Sequence, residues 1–239
     1  MKHKQFSFVV CAALLMVLGL PALAQPRPPQ LDRSVQFRFG GFFLAGDGDF
    51  WAESESVFTL EASDFDDILF GATYSHGFNR YLELDLNADY TEGFTASEYR
   101  NYVSGSGFPI LHNSRLQMWP LTAGVRLVPF GRAKPGARKP VLFVGAGAGV
   151  NFWSYEEFGD FIDFNDPTNP IILGDFREDG EAFVAYGLFG IEFPLAPAFN
   201  LGIEARYFSS DDKLTGDFAG LGTLDMSGWA ASVSGNWRF

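Results

Sequence analysis

Eight segments that alternate apolar and polar residues with a period of two, connections that take turns between short and long, and aromatic residues spaced along the last segment predict an all-β fold. The predicted class is an eight-stranded antiparallel up-and-down transmembrane β-barrel, preceded by a cleaved signal peptide. Of 239 residues, 47% are hydrophobic and 17% aromatic against 19% charged, so the chain packs rather than staying disordered. Beyond the first two dozen residues, the longest apolar run, 141–150, carries Gly145, Gly147 and Gly149. It falls well short of the roughly 20 residues of a spanning helix.

The amino terminus predicts export. Lys2, His3 and Lys4 precede an apolar core, Phe6 to Leu20, and Ala22-Leu23-Ala24 forms a small-residue cleavage pattern ahead of Gln25. The expected division is a signal peptide over 1–24, a short Pro-rich periplasmic segment over 25–33 and a barrel domain over 34–239. The single cysteine, Cys11, lies inside the signal's apolar core, so the exported part has no disulfide and no lipoprotein acylation site. The formal charge is −12 and becomes more negative once Lys2 and Lys4 are removed, which excludes the basic face of a nucleic-acid-binding protein.

Strands are predicted over 35–45, 67–74, 81–90, 114–128, 141–153, 182–193, 199–208 and 229–239. The third shows the pattern best: Leu82, Leu84, Leu86, Ala88 and Tyr90 share one face, and Glu83, Asp85, Asn87 and Asp89 the other. One face suits lipid and the other suits water. In the last, Trp229, Ala231, Val233, Gly235, Trp237 and Phe239 alternate with small or polar residues. No amphipathic helix is expected after the signal, and no internal repeat is present.

Connections 75–80 and 194–198 are short and 129–140 is intermediate, whereas 46–66, 91–113, 155–181 and 209–226 are long. Short periplasmic turns with long external loops are the pattern of outer-membrane barrels. Most acidic residues fall in the four long connections, opposed there only by Arg100, Arg177 and Lys213. The shorter side is basic, with Arg80, Arg132, Lys134, Arg138 and Lys139. Trp229 and Trp237 lie about 26 Å apart along a strand, or about 20 Å in height at a 40° tilt. With Phe239 they are the predicted membrane girdle, close to the roughly 25 Å apolar band of such barrels.

Over 34–239 the chain resembles the eight-stranded outer-membrane barrels of the OmpA/OmpW kind, most sharply at the end, where Phe239 shares a face with Trp237, Val233 and Ala231. The resemblance implies residence in the bacterial outer membrane among its lipids and recognition of the last strand by the barrel-insertion machinery. The peptidoglycan-binding domain of OmpA-type proteins is not expected here.

With Leu82 and its parity mates facing lipid, the inward ionic set is Arg38, Glu83, Asp85, Asp89, Arg126, Glu192, Glu204, Arg206 and Arg238. The alternation is enforced energetically, because a mid-depth Arg or Lys on the lipid face costs about 2–4 kcal/mol. Eight strands leave room only for side chains or one small ligand, which excludes a wide pore. Arg38, Arg126, Arg206 and Arg238 are expected to pair with Glu83, Asp85, Glu192 and Glu204 towards the periplasmic end, as a structural plug or else as a gate.

Candidate reactive groups are sparse. His112-Asn113-Ser114 has the H-x-S spacing seen in outer-membrane lipid A deacylases, but no carboxylate follows up to Val128, and no catalytic residue is assigned. His76 is expected in a solvated turn. Asp47-Gly48-Asp49 and Asp160 to Asp166 are oxygen-rich but do not fit the twelve-residue calcium loop, so no metal site is assigned. The spacing of the glycines at 145, 147 and 149 is not a dinucleotide fingerprint, and they are expected to clear space in the lumen or to ease barrel curvature. No cofactor is expected. The function expected is a non-enzymatic, surface-exposed barrel whose acidic loops, with Phe50-Trp51 and Phe158 to Phe164, meet an extracellular partner. A narrow small-solute or ion channel is the alternative, and a lipid A-modifying enzyme a third.

Overall fold

The computed structural model describes residues 32–132 and 139–239. The signal peptide and nearly all of segment 25–33 lie outside them, as do Lys134 and Arg138. Nine strands form in order: β1 (Arg33–Leu44), β2 (Asp67–Gly77), β3 (Leu82–Val103), β4 (Pro109–Leu127), β5 (Val141–Ile162), β6 (Ile171–Ala196), β7 (Phe199–Lys213), β8 (Thr223–Asp225) and β9 (Gly228–Arg238). Eight of them close a ring by antiparallel neighbour pairing, with β9 joining β7 to β1, while the three-residue β8 pairs only with the far end of β7.

The stagger of the ring follows from its pairing. From Arg33 the partners run through His76, Leu84, Val125, Ala146, Gly187, Tyr207 and Trp229 back to Phe43, ten residues further along β1. A shear of that size on eight strands tilts them by about 40° and leaves a bore that side chains fill. Phe37, Phe39, Phe70, Leu86, Val125 and Val233 stand outward and exposed. They alternate with buried Gln36, Arg38, Asn87, Arg126 and Ser234.

Aromatic residues bound this apolar belt. Trp237 packs on Phe199 at 4.8 Å near the periplasmic end, and Phe239 is 55% exposed beside it on the terminal strand. Trp229 packs on Tyr207 at 5.1 Å towards the external end, where Tyr90 and Trp119 also meet at 4.3 Å.

Three expectations are corrected. Two of the four long connections, 91–113 and 155–181, are mostly strand: β3 runs on to Val103, β4 starts at Pro109, β5 runs on to Ile162 and β6 starts at Ile171, so ladders of paired backbone continue above the aromatic level. At the opposite end, β2 runs on to Gly77, so His76 lies within it, paired with Arg33 and Leu84, rather than in a turn. The first long connection, moreover, contains a helix, α1 (Asp49–Val57), and a 3-10 turn at Ala62–Phe65. Asp49 sits in the helix's first turn, where a carboxylate suits the positive end of the helix dipole.

Candidate functional site

The bore is filled in two storeys of opposite character. In the lower storey β3 alternation turns Glu83, Asp85, Asn87 and Asp89 inward, and β1, β4, β6 and β7 supply Arg38, Arg126, Glu192, Glu204 and Arg206, all buried. Arg126 is the hub: Nε donates to Asp85 at 2.8 Å, one terminal nitrogen to Glu192 at 3.3 Å and the other to Gln36 at 3.2 Å, while its guanidinium lies 4.5 Å from the Phe143 ring centroid. Arg206 donates to Glu204 at 2.8 Å and Asp89 at 3.2 Å, and lies over Tyr186. Arg38 donates to Asp89 and Thr73. Thr73 in turn donates to Asn87, whose amide donates to Thr122 and Tyr186.

The pairing differs from expectation in two ways. Arg38 takes Asp89 as its partner rather than a carboxylate nearer the periplasm, since β1 pairs with β2 at Gly71 and Gly71 lies opposite Asp89. Arg132, from the connection after β4, reaches back into the bore and donates to both Glu83 oxygens and to Glu192 at 2.5 Å, beside Arg238, which meets Glu83 at 3.4 Å. It was visible in the sequence only as one more cation of the basic side. Arg132 completes a balance of five guanidinium groups against five carboxylates, and buried charges are tolerated when each is compensated and hydrogen-bonded.

The glycines at 124 and 147 make room for Tyr186: a Cβ at Gly147 would stand 2.6 Å from its ring, and one at Gly124 would overlap its hydroxyl. Of the three β5 glycines, Gly147 has the expected clearing role, whereas a Cβ at Gly149 would meet the β4 backbone at Leu121 and Thr122.

Above this layer the inward face turns apolar, with Leu116, Met118, Trp153, Tyr155, Leu214 and Met226 buried. α1 lies across the external mouth and inserts Phe50 and Trp51, both 0% exposed, correcting their expected place on the outer surface. Phe50 meets Tyr155 and Trp51 at 5.0 and 5.1 Å between ring centroids, and Trp51 meets Phe65 at 5.1 Å. Trp51 Nε1 donates to the Asp225 carbonyl at 2.8 Å, which satisfies the one polar atom the indole brings inside. Between the storeys a void of about 10 Å³ remains, beside Asp89, Thr91, Met118 and Asn151, room for roughly one water.

His112 and Ser114 both face inward and are buried, but His112 Nε2 lies 2.8 Å from Ser97 Oγ rather than meeting Ser114. Phe58, Tyr99 and Phe161 surround the imidazole, and burial lowers its pKa to about 4. Phe161, too, is buried rather than displayed. Glu157 is buried with Tyr155 donating to it at 2.7 Å, and desolvation raises its pKa to about 7. In the acidic β5–β6 turn, Asp163 and Asp166 accept from Asn165, Thr168 and Thr168 Oγ1, as Asx-type turns do. Among the described residues no three His, Cys, Asp or Glu side chains are grouped to hold a metal ion.

No protein-family model and no curated protein sequence matches the chain. Several solved structures resemble its fold. The outer membrane protease OmpT from Escherichia coli matches at 10% identity and a TM-score of 0.49, covering 91% of this chain and 99% of that one. OprG from Pseudomonas aeruginosa matches at 13% and 0.45, covering 87% and 95%. Ail of Yersinia pestis, in complex with the heparin analogue sucrose octasulfate, matches at 13% and 0.42, covering 87% and 97%. These likenesses concern the course of the chain alone. A closed ring of eight strands that turns apolar side chains outward between two aromatic levels, and charges inward, is suited to one solvent; the chain has the fold of an eight-stranded transmembrane β-barrel.

Proposed function

We propose that the chain is a non-enzymatic barrel sealed along its bore, serving the envelope as a structural protein and presenting its external hairpins to the surroundings. One observation carries this reading: the bore is closed twice, by the balanced ionic layer below and by α1 above. Reactive chemistry finds little support. The Ser97–His112 pair lies beneath aromatic rings, and His112 Nδ1 has no carboxylate to orient it as a base. During assembly, β9 with its outward Trp229, Trp237 and Phe239 is the segment offered to the barrel-insertion machinery.

Planar-bilayer recording of the refolded barrel tests the seal. Silence between pH 5 and 8 at voltages to about 100 mV is the expected result, since buried paired charges have no free hydration to offer a passing ion. Discrete conductance steps would favour the narrow channel instead.

A further inference from the structure

Among the described residues two buried acids, Glu157 and Glu178, meet no cation; Glu178 accepts from the Thr215 amide and hydroxyl, whereas Glu157 has a single donor. It projects from β5 opposite Ser114 of β4 and Phe176 of β6. The titratable and polar side chains buried around this part of the bore are Ser97 and Tyr99 of β3, His112 and Ser114 of β4, Tyr155 of β5 and Glu178 of β6, and the Tyr99 hydroxyl accepts from the Ile162 amide. Asp212 of β7 accepts from Trp153, and Asp225 of β8 accepts from backbone amides. α1 contributes Phe50, Trp51 and Ser54 from its buried face, none of them charged. On the outside Arg100 is spent on the Glu55 carbonyl. Every lower-storey carboxylate has an arginine partner, while Glu157 has only the Tyr155 hydroxyl, whose ring is the surface on which Phe50 sits.

We propose that the external closure is a proton-dependent seal: α1 seats over Tyr155 while Glu157 is neutral, and ionisation of Glu157 favours its release, opening the upper storey above an ionic layer that stays shut. A carboxylate without a cation cannot ionise in this enclosure without losing its hydration, so the charge forms readily only once the mouth admits water. His112 offers no compensation, because burial keeps it neutral across the same range.

The direction follows from linkage. In the closed form the Glu157 carboxyl titrates at about 7, and once hydrated it returns to the ordinary carboxylate range near 4.3. A raised acid pKa contributes stability to the closed form at low pH, and that contribution fades as pH climbs from about 4.3 to 7. The opened fraction therefore rises by up to about tenfold per pH unit across that window and levels off above it.

The test uses Ser54→Cys, buried on α1, and Ser56→Cys, exposed on the same helix, each in a mature chain that otherwise has no cysteine. Maleimide labelling of the refolded barrel in phospholipid vesicles is followed from pH 4.5 to 8. The Ser54→Cys rate divided by the Ser56→Cys rate cancels the thiol's own pH dependence. A ratio that climbs at least thirtyfold to pH 7 and then flattens, and that goes flat when Glu157→Gln is added, is the expected result. A flat ratio in the chain that retains Glu157 overturns the proposal by itself, as does a climb that survives Glu157→Gln. Heat-dependent gel mobility verifies that each variant is folded, and Glu157→Met replaces Glu157→Gln if the latter is not. Bilayer silence in every variant is compatible with the seal, so this result and the conductance result stand or fall separately.

Discussion

Arg126 shows what one residue does in a bore with no water to spare. It touches Asp85, Glu192 and Gln36 and is fully buried. Arg126→Met keeps much of the volume but leaves Asp85 without its one ion-pair partner among the described residues. The expected loss is about 3–5 kcal/mol, read as a lower urea midpoint for the barrel in vesicles. Asp85→Asn in the same background should recover part of it, because the orphaned charge causes most of the damage. The inward face of the lower storey was legible residue by residue, since polar side chains at every second position can point only away from lipid. Arg132 was not, because a cation in a turn carries no period to say where its head goes.

α1 was illegible for a physical reason. Its nine residues set two adjacent buried aromatics among acids and serines, too short and too polar for a helical stripe, and only the mouth of the barrel gives Phe50 and Trp51 a place to go. Trp51→Ala should remove about 3–5 kcal/mol of packing from the closure while leaving the ring of strands intact. Added protease should then cut between Gly46 and Asp66 in the variant and spare that stretch in the parent, both keeping heat-modifiable mobility. The strand ends were misjudged through a related effect. Within the belt apolar residues face out, but above it Leu116, Met118, Trp153 and Tyr155 face in. The phase of the pattern therefore changes along one unbroken strand, and a search for a single phase stops at the membrane surface.

At the scale of the whole molecule, two closures of different chemistry share one bore. The lower depends on balanced charge and the upper on aromatic packing, so they respond to different stresses: replacing one arginine strains the first, and a change of pH loosens the second. The length of the strands has its own consequence. Phe152 is level with Trp119, and β5 continues for ten residues to Ile162, which lifts the β5–β6 tip by about 25 Å above that aromatic ring. The β3–β4 tip at Ser104 to Phe108 and the turn from Phe164 to Pro170 are largely exposed there. Trypsin-free proteinase K added to whole cells should nick these two crowns first, leaving fragments that stay assembled until boiled, as paired backbone below the cuts still closes the ring. A tower of that height clears the headgroup layer, so a large molecule approaching from that side meets these hairpins before it meets lipid.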